Sequence, residues 1–400
     1  MRNVAGFALT TASAFLAVVA IMLNSPALFY MATALIATIA ACHFQAWLAV
    51  RALRFERIAP ETARVGDLVT VEIFVWSERK LRRPLITVYD NLPARILLSH
   101  RSPSLPVAPA YDLPIRAQYQ FRPLKRGKYR WSGVTVEGTD ALGLITKRRS
   151  YDTEPAEMTV LPSPIALSLD IPSAAGWGIS EAESGQSRGV GIEPRGIREY
   201  ANGDALRHVH WRSSARAGRL LVKEFEAGSH ASASFFIQDS VNSEVGIGAN
   251  TSLETMCGNV AFLADAFLRQ GVRVLLPAIE GSTSRTVSSE RIHEIYEALS
   301  TLQPESKASL GEQVIASIAD MTQGSIVFVL CAVRDDSLPG AVAAATNRGL
   351  QVIALLYDAN KYPARSRQPR TDSAVQADFI GALTSAGADP FVVPITEVTV

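Results

Sequence analysis

Six arginines fall between Gly189 and Glu226, in the run GVGIEPRGIREYANGDALRHVHWRSSARAGRLLVKEFE. A guanidinium group is planar and permanently charged, so such a cluster suits bidentate binding of carboxylate or phosphate. Asn202-Gly203 is turn chemistry and Asp204 suits a helix N-cap. Leu206, Val209 and Ser213 then share a helical face, and Gly218 offers the exit into a strand from Leu220 to Phe225. On that short amphipathic helix Arg207 and Trp211 stand four apart, as do His208 and Arg212, and Arg212 and Arg216. A cation can therefore lie over the indole beside further guanidinium groups. Arg198, Asp204, Arg207, Trp211, Arg212 and Arg216 are thus candidates for one of two roles. Either the arginines pair internally with Glu199, Asp204 or Glu224 as a structural clamp, or the segment is a docking face anchored by Trp and Arg. Phosphate binding is the third reading, but Gly189, Gly191 and Gly196 match neither GxxxxGK[ST] nor GxGxxG. His208 and His210 are two apart and would point to different sides of a helix, unlike metal ligands spaced by four.

Other chemistry is sparse. His293-Glu294-Ile295-Tyr296-Glu297 lacks the second histidine of a zincin, no GxSxG is present, and Cys42, Cys257 and Cys331 are scattered singly. The expectation is a protein that is not an enzyme, in a reducing compartment; a membrane-associated enzyme or ligand-binding protein with an unrecognised site is the alternative. A net charge of +1 supplies no global field for nucleic acid.

The elements that must position these residues begin with apolar helices. Val4 to Leu23 carries no charge and is long enough to cross a hydrocarbon core; a second uncharged run, Ala27 to Val50, follows the turn-forming Asn24-Ser25-Pro26. Arg2 precedes the first run and Arg51, Arg54 and Arg57 follow the second, which predicts two spanning helices with both ends in the cytoplasm, in the inner cell membrane. Arg51, Arg54, Arg57, Arg79, Lys80, Arg82 and Arg83 would also suit anionic headgroups, although topology determinants and solvated loop charges explain them more simply. From Arg54 to about Pro164 short alternating runs appear, clearest at Leu68–Trp76 and Leu85–Tyr89, with turn chemistry at Val65-Gly66-Asp67, Lys125-Arg126-Gly127 and Ser132-Gly133. This rhythm predicts an immunoglobulin-like β-sandwich. Ser163 to Arg188 reads as a linker. From Ala231 strands and helices alternate: Ser234–Ile237, a helix from Glu254 to Gln270, Val272–Leu276, Ser325–Leu330, a helix from Pro339 to Arg348, and Val352–Leu356. That order predicts a doubly wound α/β domain with its loops at the carboxyl ends of the strands. The expected division is 1–52 helical hairpin, 53–165 β-domain, 166–230 linker and arginine-rich segment, and 231–400 α/β domain.

Arg195-Gly196-Ile197-Arg198-Glu199-Tyr200 and the run from Gly203 to Arg216 resemble the hallmark of the bacterial "domain of unknown function 58" proteins, as do Asp140-Ala141-Leu142-Gly143-Leu144 and Val160-Leu161-Pro162. The resemblance implies a von Willebrand factor A-like terminal domain and association with MoxR-type AAA+ ATPases and other membrane proteins, and it establishes no enzyme activity. It also implies a place to look for a divalent cation such as magnesium, since von Willebrand A domains hold one through an Asp-x-Ser-x-Ser loop after the first strand. Here that loop gives Asp239, Ser240 and Ser243 as candidate ligands, with Val241 where a hydroxyl belongs; starting the register at Gln238 loses the carboxylate instead. Asp335 and Asp336 would add acid, but loop charges and a helix cap account for them equally. The function expected from all of this is a membrane-anchored adaptor or assembly factor, a protein-interaction scaffold.

Overall fold

The first element is a helix because its residues offer water nothing. α1 (Val4–Met22) and α2 (Pro26–Ala49) are uncharged and predominantly apolar and pack against each other. Asn24 takes a positive φ of 45° in the turn between them, and Pro26 opens α2, where its missing N–H costs nothing. α2 is long and apolar enough to cross a membrane by length and composition; α1 is apolar and shorter. The computed structural model describes residues 4–80, 83–93, 103–167, 194–199, 211–225, 232–270, 272–276, 287–289, 291–363 and 370–394. It divides into two compact units, Met1–Leu124 with Lys128–Val160, and Lys125–Gly127 with Leu161–Val400.

In the first unit the helices lead, through Val50 to Ala52, into strands β1 (Leu53–Ile58), β2 (Thr62–Arg64), β3 (Val69–Ser77), β4 (Ile86–Asp90), β5 (Ser104–Val107), β6 (Ile115–Phe121), β7 (Gly127–Thr139) and β8 (Thr146–Leu161). They form two sheets, β1-β3-β6 and β2-β8-β7-β4-β5. Strict alternation sends Val69, Val71, Ile73 and Val75 of β3 into a core that holds Val88, Val136, Met158 and the fully buried Trp131. The last carbonyls of α2, which no intrahelical N–H can reach, are satisfied from this unit. Arg83 donates from Nη1 to the Leu48 and Ala49 carbonyls at 2.6 and 3.4 Å and from Nε to Ser77 Oγ at 2.9 Å, and Tyr151 donates its hydroxyl proton to the Val50 carbonyl at 2.5 Å. Arg57 is likewise turned inward. Its side chain and that of Asp90 are fully enclosed and joined at 2.5 Å, with Tyr119 donating to Asp90 Oδ2 and Arg57 also donating to Thr153 and the Gly133 carbonyl. Arg57 and Arg83 are therefore structural cations, not members of a headgroup-binding surface.

Ser132-Gly133 is not a turn. Both residues lie inside β7, where the inward alternation slips by one residue at Gly133-Val134. A Cβ on Gly133 would stand 2.5 Å from the Tyr151 carbonyl oxygen, so glycine is required there for close strand approach and not for a reversal.

The second unit contains β9 (Pro194–Glu199), α3 (Trp211–Ala217), β10 (Leu221–Phe225), β11 (Ser232–Ile237), β12 (Gly246–Ile247), β13 (Asn250–Thr251), α4 (Ser252–Arg269), β14 (Arg273–Leu276), β15 (Val287–Ser289), α5 (Ile292–Thr301), α6 (Leu310–Ile318), β16 (Ile326–Cys331), α7 (Leu338–Asn347), β17 (Gln351–Leu356), α8 (Ala377–Ser385) and β18 (Ala388–Val392). The main sheet has the order β15-β14-β11-β16-β17-β18; β15 runs antiparallel to β14 and the other neighbours are parallel. Its central strands are continuous apolar runs because both faces are covered. Phe235, Phe328 and Leu330 face α4 and α5, while Phe236, Val327 and Val329 face α6, α7 and α8. Within the same unit the buried Arg126 guanidinium pairs with Glu254 of α4 and donates to the Leu299 and Leu302 carbonyls at 2.8 and 2.7 Å.

Candidate functional site

The loops that leave the carboxyl ends of β11 and β16 come together with the start of α6, the place where an open α/β sheet presents its ligands. Gln238, the first residue after β11, is buried, and its amide spans to the neighbouring strand end. Oε1 accepts from the Ala332 and Val333 N–H groups at 3.1 Å each, and Nε2 donates to the Val333 carbonyl at 2.9 Å. This fixes the path of the next residue. Asp239 is fully buried, with its main chain held against Ser306 on both sides: Ser306 N donates to the Asp239 carbonyl at 3.0 Å and Val241 N to the Ser306 carbonyl at 2.9 Å. Its carboxyl meets an amide. Gln313 of α6 donates from Nε2 to Asp239 Oδ1 at 3.0 Å, while neither Asp239 Oδ2 nor Gln313 Oε1 has a hydrogen-bond partner among the described residues. Burial pushes the Asp239 carboxyl up to about 6, against the opposing pull of the Gln313 amide.

Of the other two expected ligands, Ser243 turns its hydroxyl to the main chain. Asn242 has a φ of 70° and closes a turn in which Ser243 donates from both N and Oγ to the Ser240 carbonyl, at 3.0 and 2.7 Å. Val241 is exposed. Across the edge, Asp335 accepts from Ser337 N and Oγ at 3.0 and 2.6 Å and from Gly311 N at 3.2 Å. Asp336 pairs with Arg334 at 2.6 Å. Ser309 caps α6 in a capping box with Glu312, and its hydroxyl lies 2.8 Å from that of Ser337. This set does not fit a magnesium ion, which demands a near-octahedral cage of oxygens. An amide N–H stands at Asp239 Oδ1, Val241 occupies the place of a hydroxyl ligand, and the described residues hold no group of three His, Cys, Asp or Glu side chains that could bind a metal. What the arrangement does is tie three loops to one another through side-chain amides and carboxyls.

Of the arginine-rich residues, Asp204 and Arg207 lie outside the described residues, as do His208 and His210. Arg198 lies on β9, where its backbone pairs with Val222 of β10, and Arg212 lies on α3. α3 ends at Gly218, whose φ of 67° provides the left-handed exit. Ser214 is buried and fastens the helix to β10, accepting from Leu221 N at 2.8 Å. That leaves Trp211 and Arg216 exposed, the indole at 64%. From the sequence Gln238 enters only as an alternative start of the loop register, without a role of its own, and Gln313 does not enter at all. The signal for Gln238 was a lone amide directly after an apolar strand; Gln313, inside an ordinary amphipathic helix, gave none.

The model of the family described as "Protein of unknown function DUF58" matches residues 196–358. "Uncharacterized protein YeaD" of Bacillus subtilis (strain 168) is 27% identical over 192 residues, covering 45% of each chain, so this chain spans less than half the length of that curated relative. Among solved structures, the CARDB domain of the PF1109 protein from Pyrococcus furiosus is similar at 14% identity with a TM-score of 0.20, covering 27% of this chain and 91% of that one. The PKD domain of an M14-like peptidase from Thermoplasmatales archaeon SCGC AB-540-F20 is similar at 13% identity with a TM-score of 0.18, covering 26% and 91%. At such scores neither structure carries an argument about fold or function.

Proposed function

We propose, from the match of residues 196–358 to the DUF58 family, that this chain is a membrane-anchored adaptor or assembly factor whose DUF58-like segment docks a partner protein. The observation that carries the reading is Trp211. A large aromatic side chain 64% exposed on a helix fastened to its neighbouring strand is the kind of anchor that dominates protein interfaces, and Arg212 and Arg216 follow it on the same helix. The partner we propose is a MoxR-type AAA+ ATPase. The same reading takes α1 and α2 as two membrane spans with both soluble units on the cytoplasmic side, supported by the apolar surfaces of both helices and by Arg51, whose guanidinium lies 4.1 Å over the Trp47 ring at the end of α2. It also takes the two-sheet β unit as immunoglobulin-like, and the α/β unit, with helices on both faces of its sheet, as von Willebrand A-like.

The test is capture of tagged full-length protein from its native membrane in mild detergent, with companions identified by mass spectrometry. Wild type should recover the ATPase. Trp211→Ala should lose it while keeping the same melting temperature and membrane fraction. Loss of folding together with capture would instead make Trp211 part of a structural clamp.

A further inference from the structure

The loop between β7 and β8, residues 140–145, is built to a shape that the adaptor reading does not use. Asp140 is buried and organises it: Oδ2 accepts from Leu142 N at 2.9 Å, Oδ1 from Ile145 N at 2.5 Å, and its carbonyl accepts from Gly143 N at 3.1 Å, with Gly143 at a φ of 71°. This rigid turn projects Leu142, which is 64% exposed, while Leu144 and Ile145 are half-buried. A fixed loop that holds a leucine out into water gains nothing from it.

The loop is also fastened to the apolar helices. Ala141 N donates to Gln45 Oε1 of α2 at 3.1 Å, and a Cβ on Gly6 of α1 would stand 2.7 Å from the Leu144 carbonyl oxygen, so the loop backbone lies directly on both helices. Gln45 sets its depth. The 24 residues of α2 span ~36 Å at ~1.5 Å each, and a hydrocarbon core is ~30 Å thick. Gln45 lies four residues before the end of α2, or ~6 Å back along its axis. A centred α2 therefore places the loop within a few ångströms of the boundary between acyl chains and headgroups. Phe44 and Trp47 flank Gln45 on α2 and stack on each other at 5.8 Å, and the exposed Lys147, Arg148 and Arg149 follow the loop directly, Arg148 paired with Glu137 at 2.6 Å and Arg149 lying over the Tyr151 ring. An apolar tip beside interfacial aromatics and a run of cations is the pattern of a segment that sits in the interfacial plane of a membrane with acidic lipids.

We infer that residues 140–145 form a third membrane contact, a wedge that inserts Leu142 into the phospholipid boundary beside the helices and fixes how the β unit stands on the bilayer. The inference rests on the anchoring proposed above, and its test separates the two. The three native cysteines are buried, so single substitutions Leu142→Cys, Phe44→Cys and Glu157→Cys in the full chain can carry a nitroxide label. The labelled proteins are reconstituted in phosphatidylcholine vesicles containing a minor fraction of phosphatidylglycerol. Accessibility to oxygen, which concentrates in lipid, is then compared with accessibility to a water-soluble nickel chelate. The inference expects the oxygen-to-nickel ratio at position 142 to shift to the lipid side with that at 44, while position 157 stays on the water side. Lipid exposure at 44 with water exposure at 142 overturns the wedge and leaves the anchoring standing. Water exposure at both positions overturns the anchoring and the wedge with it.

Discussion

Replacing Asp239 with asparagine should stabilise the protein at neutral pH. The carboxyl is buried, the Gln313 amide donates to its Oδ1, and burial raises its pKa from 3.8 to about 6. Between those values the folded state holds a proton that the unfolded state has released, so stability falls as pH rises through this window. Above it the whole cost is present, ~3 kcal/mol at ~1.4 kcal/mol per pH unit. The substituted amide carries no charge, and its N–H donor would have Gln313 Oε1, an acceptor without a partner among the described residues, within the same pair. At 2–4 °C per kcal/mol for a unit of this size, Asp239→Asn should raise the transition of the second unit by roughly 6–12 °C at pH 7. The gain should vanish near pH 4. Differential scanning calorimetry of the full chain in detergent at both pH values reads this directly. If the variant melts lower than wild type at pH 7, the carboxylate is ionised and held by a cation, and the reasoning about this loop is wrong.

Three further outcomes follow from the same packing. Asp90→Ala leaves the enclosed Arg57 guanidinium without its carboxylate and should cost ~3–5 kcal/mol, read as a lower melting transition of the first unit; Arg57→Met combined with Asp90→Leu should recover much of it. Arg83→Met strips the donors from the Leu48 and Ala49 carbonyls at ~1–3 kcal/mol for each group left unpaired, and protease cleavage between α2 and β1 should speed up accordingly. Gly133→Ala places a methyl group 2.5 Å from the Tyr151 carbonyl oxygen and should cost ~1–3 kcal/mol by forcing β7 and β8 apart, measured as faster amide exchange in both strands.

The fold was legible where one periodicity ruled. The apolar runs that became β16 and β17 and the helical spacing that became α4 lie within a residue or two of their expected bounds, because burial on both faces of the sheet demands unbroken hydrophobicity. Ser132-Gly133 misled because glycine serves close approach as well as reversal, and the approaching group, Tyr151, is distant in sequence. The same distance hid the partners of Arg57 and Arg83. Their positions after the apolar helices suit a membrane-facing charge, and only the folded chain brings Asp90 and the Leu48 carbonyl to them. At the sheet edge, Asp239 was visible as a candidate ligand, but its environment is set by Gln313 on another helix, and no spacing rule links the two.

The central claim, that the DUF58 segment meets a partner protein at Trp211, is tested most directly by placing a photo-crosslinking amino acid at position 211 of the full chain in native membranes. The account predicts a discrete protein adduct on illumination, identified by mass spectrometry as an AAA+ ATPase and absent when the crosslinker is moved to Glu157 on the β unit. Adducts confined to this chain itself, or none, would contradict it.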